Sequence, residues 1–231
     1  MKKSIISMLI GALFVTSLFT SCTTLKKATQ FPGMYDEKPV VMLIMPPINK
    51  TNYVEAKDFF YTTMNVPVAE SGYYVLPPAA CYSVMQREGA YNSERFIDGS
   101  LKKFNELFGA DVCVFTTIKS WDKSLVGSSV TVEVEYTFKS TKTNETLYHR
   151  DAKIICDTSS NTRLSGFGLV GTLINLTSDA VKTAVTDYVS VAVMCNKSGL
   201  QDLPAGKYSS KYGTDGETSA MADKITIRAS K

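Results

Sequence analysis

Residues 130–138 read VTVEVEYTF, and this stretch limits the possible folds more than any other. Val130, Val132, Val134, Tyr136 and Phe138 alternate with Thr131, Glu133, Glu135 and Thr137. A side-chain period of two specifies a strand, and one apolar row beside one wet row specifies an antiparallel sheet packed on a single face. A slip of one residue would turn every apolar side chain to water, so the pattern also fixes the register. Residues 140–145 supply a turn, and residues 147–156 return as the second arm of a hairpin. In that arm His149 shares parity with Asp151 and Lys153 and is expected on the wet face.

Two other runs are apolar without alternation, VVMLIM at 40–45 and the stretch from Val112 to Ile118. Such runs fit strands buried on both faces. Pro46 and Pro47 end the first, since proline cannot donate to a ladder, and Asn49, Lys50, Thr51 and Asn52 follow as a loop. A helix is expected over 55–66, with Phe59, Phe60, Thr63 and Val66 on one side, broken or restarted at Pro67 and stopped at Gly72. Tyr73 to Leu76 reads as a short strand, and Pro78 suits the first position of a helix ending near Gly89. The next helix is expected over about 94–108, with Phe96, Ile97, Leu101, Phe104, Leu107 and Phe108 as its inner stripe and Gly109 as its stop. A long surface helix is expected over 169–192, where Val170, Leu173, Ile174, Val181, Ala184, Val185 and Val189 recur at helical spacing. The order β-α-β-α-α-β-β-β-α gives an α/β domain, a mixed sheet flanked by helices.

The amino terminus reads MKKSIISMLIGALFVTSLFTSC. Lys2 and Lys3 precede an apolar run to Phe19, and the small Thr20 and Ser21 stand directly before Cys22. This is the layout of a secretory signal, and the cysteine makes it a lipoprotein signal with lipidation at Cys22. A buried methylene contributes about 0.8 kcal/mol and one acyl chain holds only marginally, so a cysteine carrying two or three chains is held for good. No Asp follows Cys22 and no acidic cluster comes after it, which directs the chain to the outer membrane, on its periplasmic face. We divide the chain into a signal peptide at 1–21, a tether at 22–38, a single α/β domain at 39–197 and a polar tail at 198–231.

Loss of the signal removes two lysines from a net charge of +3 and leaves +1, no basis for nucleic-acid binding. Cys81, Cys113, Cys156 and Cys195 are too widely spaced for a CxxC redox motif or a finger-type zinc site. They read as buried thiols, although an oxidising envelope also permits disulfides that sequence cannot pair.

The search for catalytic residues finds little. His149 is the sole histidine, which removes a histidine-rich metal site, and no G-x-S-x-G nucleophile elbow is present. Glu133 and Glu135 share one strand face and read as its solvated side; whether other carboxylates meet in space is open to the sequence. Trp121, near tyrosines and lysines, reads either as local packing or as a platform for sugar or peptide. GFGLVG at 166–171 fits the dinucleotide pattern G-x-G-x-x-G. That pattern needs a strand running directly into the glycines and a parallel strand after the helix. Here the polar stretch DTSSNTRLS precedes the glycines and a tail follows the helix, so no nucleotide or other cofactor is expected. The segment offers Leu164, Phe167, Leu169, Val170 and Leu173 around flexible glycines. They either fold onto the domain's own core or form a contact surface for a subunit or the membrane.

Several blocks together resemble a bacterial lipoprotein family catalogued as domain-of-unknown-function 799 and typified by a meningococcal lipoprotein antigen. They are Cys22 with its signal, MPPIN at 45–49, PVAESGYYVLP at 67–77, FGAD at 108–111, SGFGLVGTLIN at 165–175 and, more loosely, LPAGKYSSKY at 203–212. The resemblance implies a fold similar to the amino-terminal domain of TolB and the periplasmic domain of the curli-channel lipoprotein. It also implies a homodimer and association with other envelope lipoproteins, and it supplies no catalytic residues. The expectation is a non-enzymatic, lipid-anchored protein that works by protein–protein contact in an envelope or transport/secretion assembly. The alternative is a periplasmic binding protein for a small glycan or peptide, using the surface near Tyr73, Tyr74 and Tyr82.

Overall fold

The computed structural model describes residues 24–123, 129–157 and 179–230. Two short helices, α1 (Lys27–Gln30) and α2 (Pro32–Glu37), precede β1 (Val41–Ile44) and the two-residue β2 (Ile48–Asn49). Then come α3 (Ala56–Thr63), α4 (Asn65–Glu70), β3 (Tyr74–Val75), α5 (Pro78–Arg87), a 3-10 turn at Ser93–Arg95 and α6 (Lys102–Phe108). Three long strands follow, β4 (Val112–Lys123), β5 (Ser129–Ser140) and β6 (Thr146–Asp157), then α7 (Asp179–Gly199) and β7 (Lys224–Ser230). The expected mixed α/β order is present, with α1, α2, β2 and β7 added to it.

The strands form one mixed sheet in the order β3-β1-β4-β5-β6-β7, with β2 also on β4. β1 runs parallel to β3 and β4, the β4-β5-β6 meander is antiparallel, and β7 returns parallel to β6. Burial follows the pairing. β1 and the first half of β4 are covered on both faces, as their unbroken apolar runs require. One face packs Leu43, Met45, Cys113 and Phe115 against Cys81 and Met85 of α5 and Phe104 of α6. The other face carries the larger core, in which Met42, Ile44, Val114 and the inward row of β5 meet Phe60 of α3 and Val191, Ala192 and Cys195 of α7. Val130, Val132, Val134, Tyr136 and Phe138 are all buried, the row predicted from alternation.

Three expectations are corrected. The single helix over 94–108 is two pieces: the chain turns at residues 96–101 and α6 starts only at Lys102. Phe96 and Phe104 still meet edge to face at 5.1 Å, so the apolar stripe reflects shared packing rather than one helix. Leu107, placed in that stripe, is 54% exposed. The tether at 22–38 is folded from its first described residues, with Phe31 and Met34 buried in the main core. The polar tail at 198–231 is also built into the body. Leu200, Leu203, Asp202 and Asp215 are buried, and all of β7 pairs with the second part of β6, from Asp151 to Asp157.

These two corrected segments hold each other. Lys27 N donates to Thr218 O at 3.0 Å, Ala28 N to Gly216 O at 3.0 Å and Ala220 N to Leu25 O at 2.7 Å. Beneath them the Asp215 carboxylate accepts from Lys27 Nζ (3.1 Å), Tyr35 Oη (3.1 Å) and Ala205 N (2.9 Å). Burial opposes that charge, and the donors from Ala205, Lys27 and Tyr35 outweigh it, holding the Asp215 carboxyl below its usual range.

Candidate functional site

The parallel half of the sheet has a switch point at β1. The chain leaves β1 to reach β3 on one side and later β4 on the other, and the crevice outside the carboxyl ends of such strands is where α/β sheets place their ligands. A cleft of about 490 Å³ lies there. Its floor comes from Pro46, Pro47 and Asn49 after β1, and its walls carry Tyr61 of α3, Tyr82 of α5 and the segment from Tyr91 to Glu94.

Local hydrogen bonds explain the shape. The two prolines take the chain off the sheet without leaving an unpaired N–H. Ser93 Oγ donates to Pro46 O at 2.6 Å and so ties the 3-10 turn to the end of β1. Asn49 folds the following loop on itself, donating through Nδ2 to Tyr53 O (2.7 Å) and accepting from Thr51 N (3.0 Å). Tyr61 Oη donates to Pro78 O at 2.8 Å, and its ring lies 5.8 Å from that of Tyr82. Burial keeps the Tyr61 phenol well above its usual range, so it stays neutral. The rim is mixed: Val54 is 69% and Tyr91 52% exposed, beside the exposed Lys57, Asp58 and Glu94. Aromatic faces with amide, hydroxyl and carboxylate groups suit a neutral polar ligand or a partner's loop. Among the described residues the cleft lining includes no cysteine and no histidine.

The wet face of the sheet carries His149. Its Nδ1 lies 2.7 Å from Asp223 Oδ1 and its Nε2 3.2 Å from Glu135 Oε1. Burial disfavours its charge, but the two carboxylates prevail and raise its pKa. Lys119 bridges Glu135 (2.7 Å) and Asp151 (3.1 Å), and Lys153 pairs with Glu133 (2.8 Å). His149, Glu133 and Glu135 are thus members of a paired surface ladder, on the wet face expected for all three from side-chain alternation. Among the described residues no group of three His, Cys, Asp or Glu side chains is placed to hold a metal ion.

The buried face of β6 holds what the sequence reading missed. Arg150 is wholly buried in the main core. Its Nη2 spans both oxygens of Asp202 at 2.7 and 2.6 Å, Nε reaches Tyr148 Oη at 3.3 Å and Nη1 donates to Ala222 O. Tyr148 Oη donates to Gly199 O at 2.9 Å, and Asp202 Oδ2 accepts from Met221 N at 2.7 Å. The guanidinium also lies over the rings of Phe31 (5.7 Å) and Tyr148 (5.5 Å). A charge at a core-parity position, two residues after Tyr148 and two before Ala152, was the signal that could have revealed this network.

Trp121 packs locally, stacked on Tyr53 at 5.5 Å with Tyr188 and the edge of Phe60 beside it. Of the ligand surface expected near Tyr73, Tyr74 and Tyr82, Tyr73 is corrected to a core residue, its Oη donating to Pro204 O at 2.7 Å. Tyr74 is exposed away from the cleft lining, and Tyr82 lines the cleft. Cys22 and the five apolar residues Leu164, Phe167, Leu169, Val170 and Leu173 lie outside the described residues, as does GFGLVG.

Comparison with known proteins points to one family. The model of the GNA1162-like family, described as "Putative lipoprotein GNA1162-like", matches residues 30–206. "Putative lipoprotein NMB1124/NMB1162" of Neisseria meningitidis serogroup B is 25% identical over 174 residues, which is 74% of this chain and 79% of that protein. Among solved structures, lipoprotein GNA1162 from Neisseria meningitidis aligns with a TM-score of 0.48 at 22% identity, over 64% of this chain and 99% of that one. The PelC dodecamer from Paraburkholderia phytofirmans gives 0.40 at 10% identity, over 73% and 88%. The LpoB C-terminal domain from Salmonella enterica gives 0.36 at 11%, over 55% and 96%.

Proposed function

Since the chain belongs to the GNA1162-like lipoprotein family, a family of the cell envelope, we propose that it is a non-catalytic contact protein of an envelope or transport/secretion assembly. In this reading Cys22 carries the lipid anchor, and the body stands at the periplasmic face of the outer membrane.

One observation carries it furthest. The folded body begins almost at the anchor, because Leu25 to Ala28 are already laced to residues 216–220. Between Cys22 and Leu25 only Thr23 and Thr24 remain, a leash of roughly 10 Å even when fully extended. A tether spanning residues 22–38 would let the domain search the periplasm; a leash of two residues would hold it against the bilayer. Such a placement suits a component that meets partners beside the membrane.

The proposed contact surface comprises Leu164, Phe167, Leu169, Val170 and Leu173, which would meet a second copy of the chain or another envelope lipoprotein. Because the four mature-chain cysteines other than Cys22 are all buried, cysteines placed at Phe167 and Leu169 can be crosslinked selectively. We expect crosslinked species of higher mass in intact envelopes. Purely intramolecular products would return these residues to the domain's own core.

A second reading is favoured by the cleft at the switch point. Tyr61, Tyr82 and Tyr91 with Asn49, Asp58 and Glu94 would accept a small glycan or peptide of the envelope. In that case Tyr82→Ala would abolish ligand uptake and leave crosslinking through Phe167 unchanged.

A further inference from the structure

Two cysteines meet inside the main core. Cys156, the penultimate residue of β6, and Cys195, on the inner side of α7, are both wholly buried, with sulfurs 3.8 Å apart. Cys156 Sγ also approaches Val191 O at 4.0 Å, one helical turn before Cys195, so the strand end faces this turn of α7. The other two thiols, Cys81 and Cys113, belong to the opposite core layer. From this geometry we infer that Cys156 and Cys195 form a disulfide in the exported protein, joining β6 to α7. The inference rests on the envelope location given above, since disulfides persist in that compartment and not in a reducing one.

Closing 3.8 Å to a bond of about 2.05 Å asks for less than about 2 Å of sulfur movement, within reach of side-chain rotation and slight approach of the two elements. The chemistry is thiol–disulfide exchange with an envelope dithiol oxidase. One protein thiolate attacks the oxidant's disulfide, giving a mixed disulfide and releasing one oxidant sulfur as thiolate. The second protein thiolate displaces the other oxidant sulfur. The two cysteines lose two electrons, and the oxidant leaves as a dithiol carrying both protons. Burial, with the contact to Cys156, holds the Cys195 thiol well above its usual range, so exchange is slow once the core has closed. The bridge therefore forms as the chain folds and is resistant to reduction afterwards.

The bridge would close a loop running from residue 156 to residue 195, which contains all five residues of the proposed contact surface. It would fix both ends of that segment to the core.

The test is peptide mapping of the full chain isolated from envelopes, unfolded in denaturant and alkylated without reduction. We expect alkylation at Cys81 and Cys113 only, and a linked pair of peptides carrying Cys156 and Cys195. Chain refolded in reductant should melt about 10 °C below the oxidised form. Alkylation of Cys156 and Cys195 in the envelope fraction would overturn the inference. A second arm refolds the chain with oxidised glutathione: appearance of the same linked pair supports the pairing, and its failure to form contradicts it. If the chain fractionates outside the envelope, the location has failed, and the glutathione arm still judges the pair.

Discussion

Asp202→Ala is expected to destabilise the protein by about 3–5 kcal/mol, because it leaves the guanidinium of Arg150 charged and unpaired inside the core. The Arg150 side chain is 0% and the Asp202 side chain 6% exposed, so water cannot replace the lost carboxylate. The same carboxylate accepts from Met221 N, and its loss also frees the segment leading to β7. For a domain of this size the melting temperature should fall by roughly 10 °C or more, measured by calorimetry or circular dichroism. Replacing both partners with apolar residues, Arg150→Met with Asp202→Leu, should recover most of the loss, since a buried pair is close to neutral against a well-packed apolar pair. A loss below about 1 kcal/mol for Asp202→Ala would mean that the network does not hold residues 200–223 to the body.

Gly72→Ala is the second large effect. Gly72 adopts a φ of +91°, and a Cβ there would lie 2.5 Å from Ser209 N and 2.9 Å from Ser209 Cα. The two backbones approach this closely because they are bonded together. Gly206 N donates to Ser71 O at 2.8 Å and Tyr208 N to Gly72 O at 2.9 Å. Gly206 is equally tight, since a Cβ there would meet Gly72 O at 2.4 Å. Strain at the positive φ and displacement of the 206–209 backbone should together cost about 2–4 kcal/mol. Gly89→Ala is the control, with a φ of +65° and open space around the added carbon. It should cost only about 1–2 kcal/mol. Equal melting temperatures for the two variants would refute the packing account of Gly72.

Much of the fold was legible wherever one side-chain period ruled a segment. The alternation at 130–138 fixed β5 and its face, the apolar run at 40–45 placed β1, and Pro78, Gly72, Gly89 and Gly109 marked helix ends that the structure keeps. Legibility failed where polar residues build the core. Residues 198–230 look solvated because their stability comes from satisfied hydrogen bonds around Asp202 and Asp215 rather than from apolar mass. KITIRAS does alternate, yet its Ile225, Ile227 and Ala229 are only half-buried at the sheet's edge, which weakens the pattern. Arg150 was hidden by treating its strand as apolar-in and charged-out; its partner lies 52 residues away, a distance no local pattern reports. The cleft was invisible for a related reason. Pro46, Tyr61, Tyr82 and Ser93 come together only through the crossovers on either side of β1, and composition carries no sign of that meeting.

In the proposed function the chain acts by contact with a partner from a position held close to the membrane. Affinity capture from chemically crosslinked envelopes tests it directly, comparing the native chain with the same body exported behind a signal that lacks Cys22. A defined partner, a second copy or another envelope lipoprotein, should be recovered with the native chain and lost when Phe167 and Leu169 are replaced by polar residues. Recovery of no partner above the signal-swapped control would contradict it.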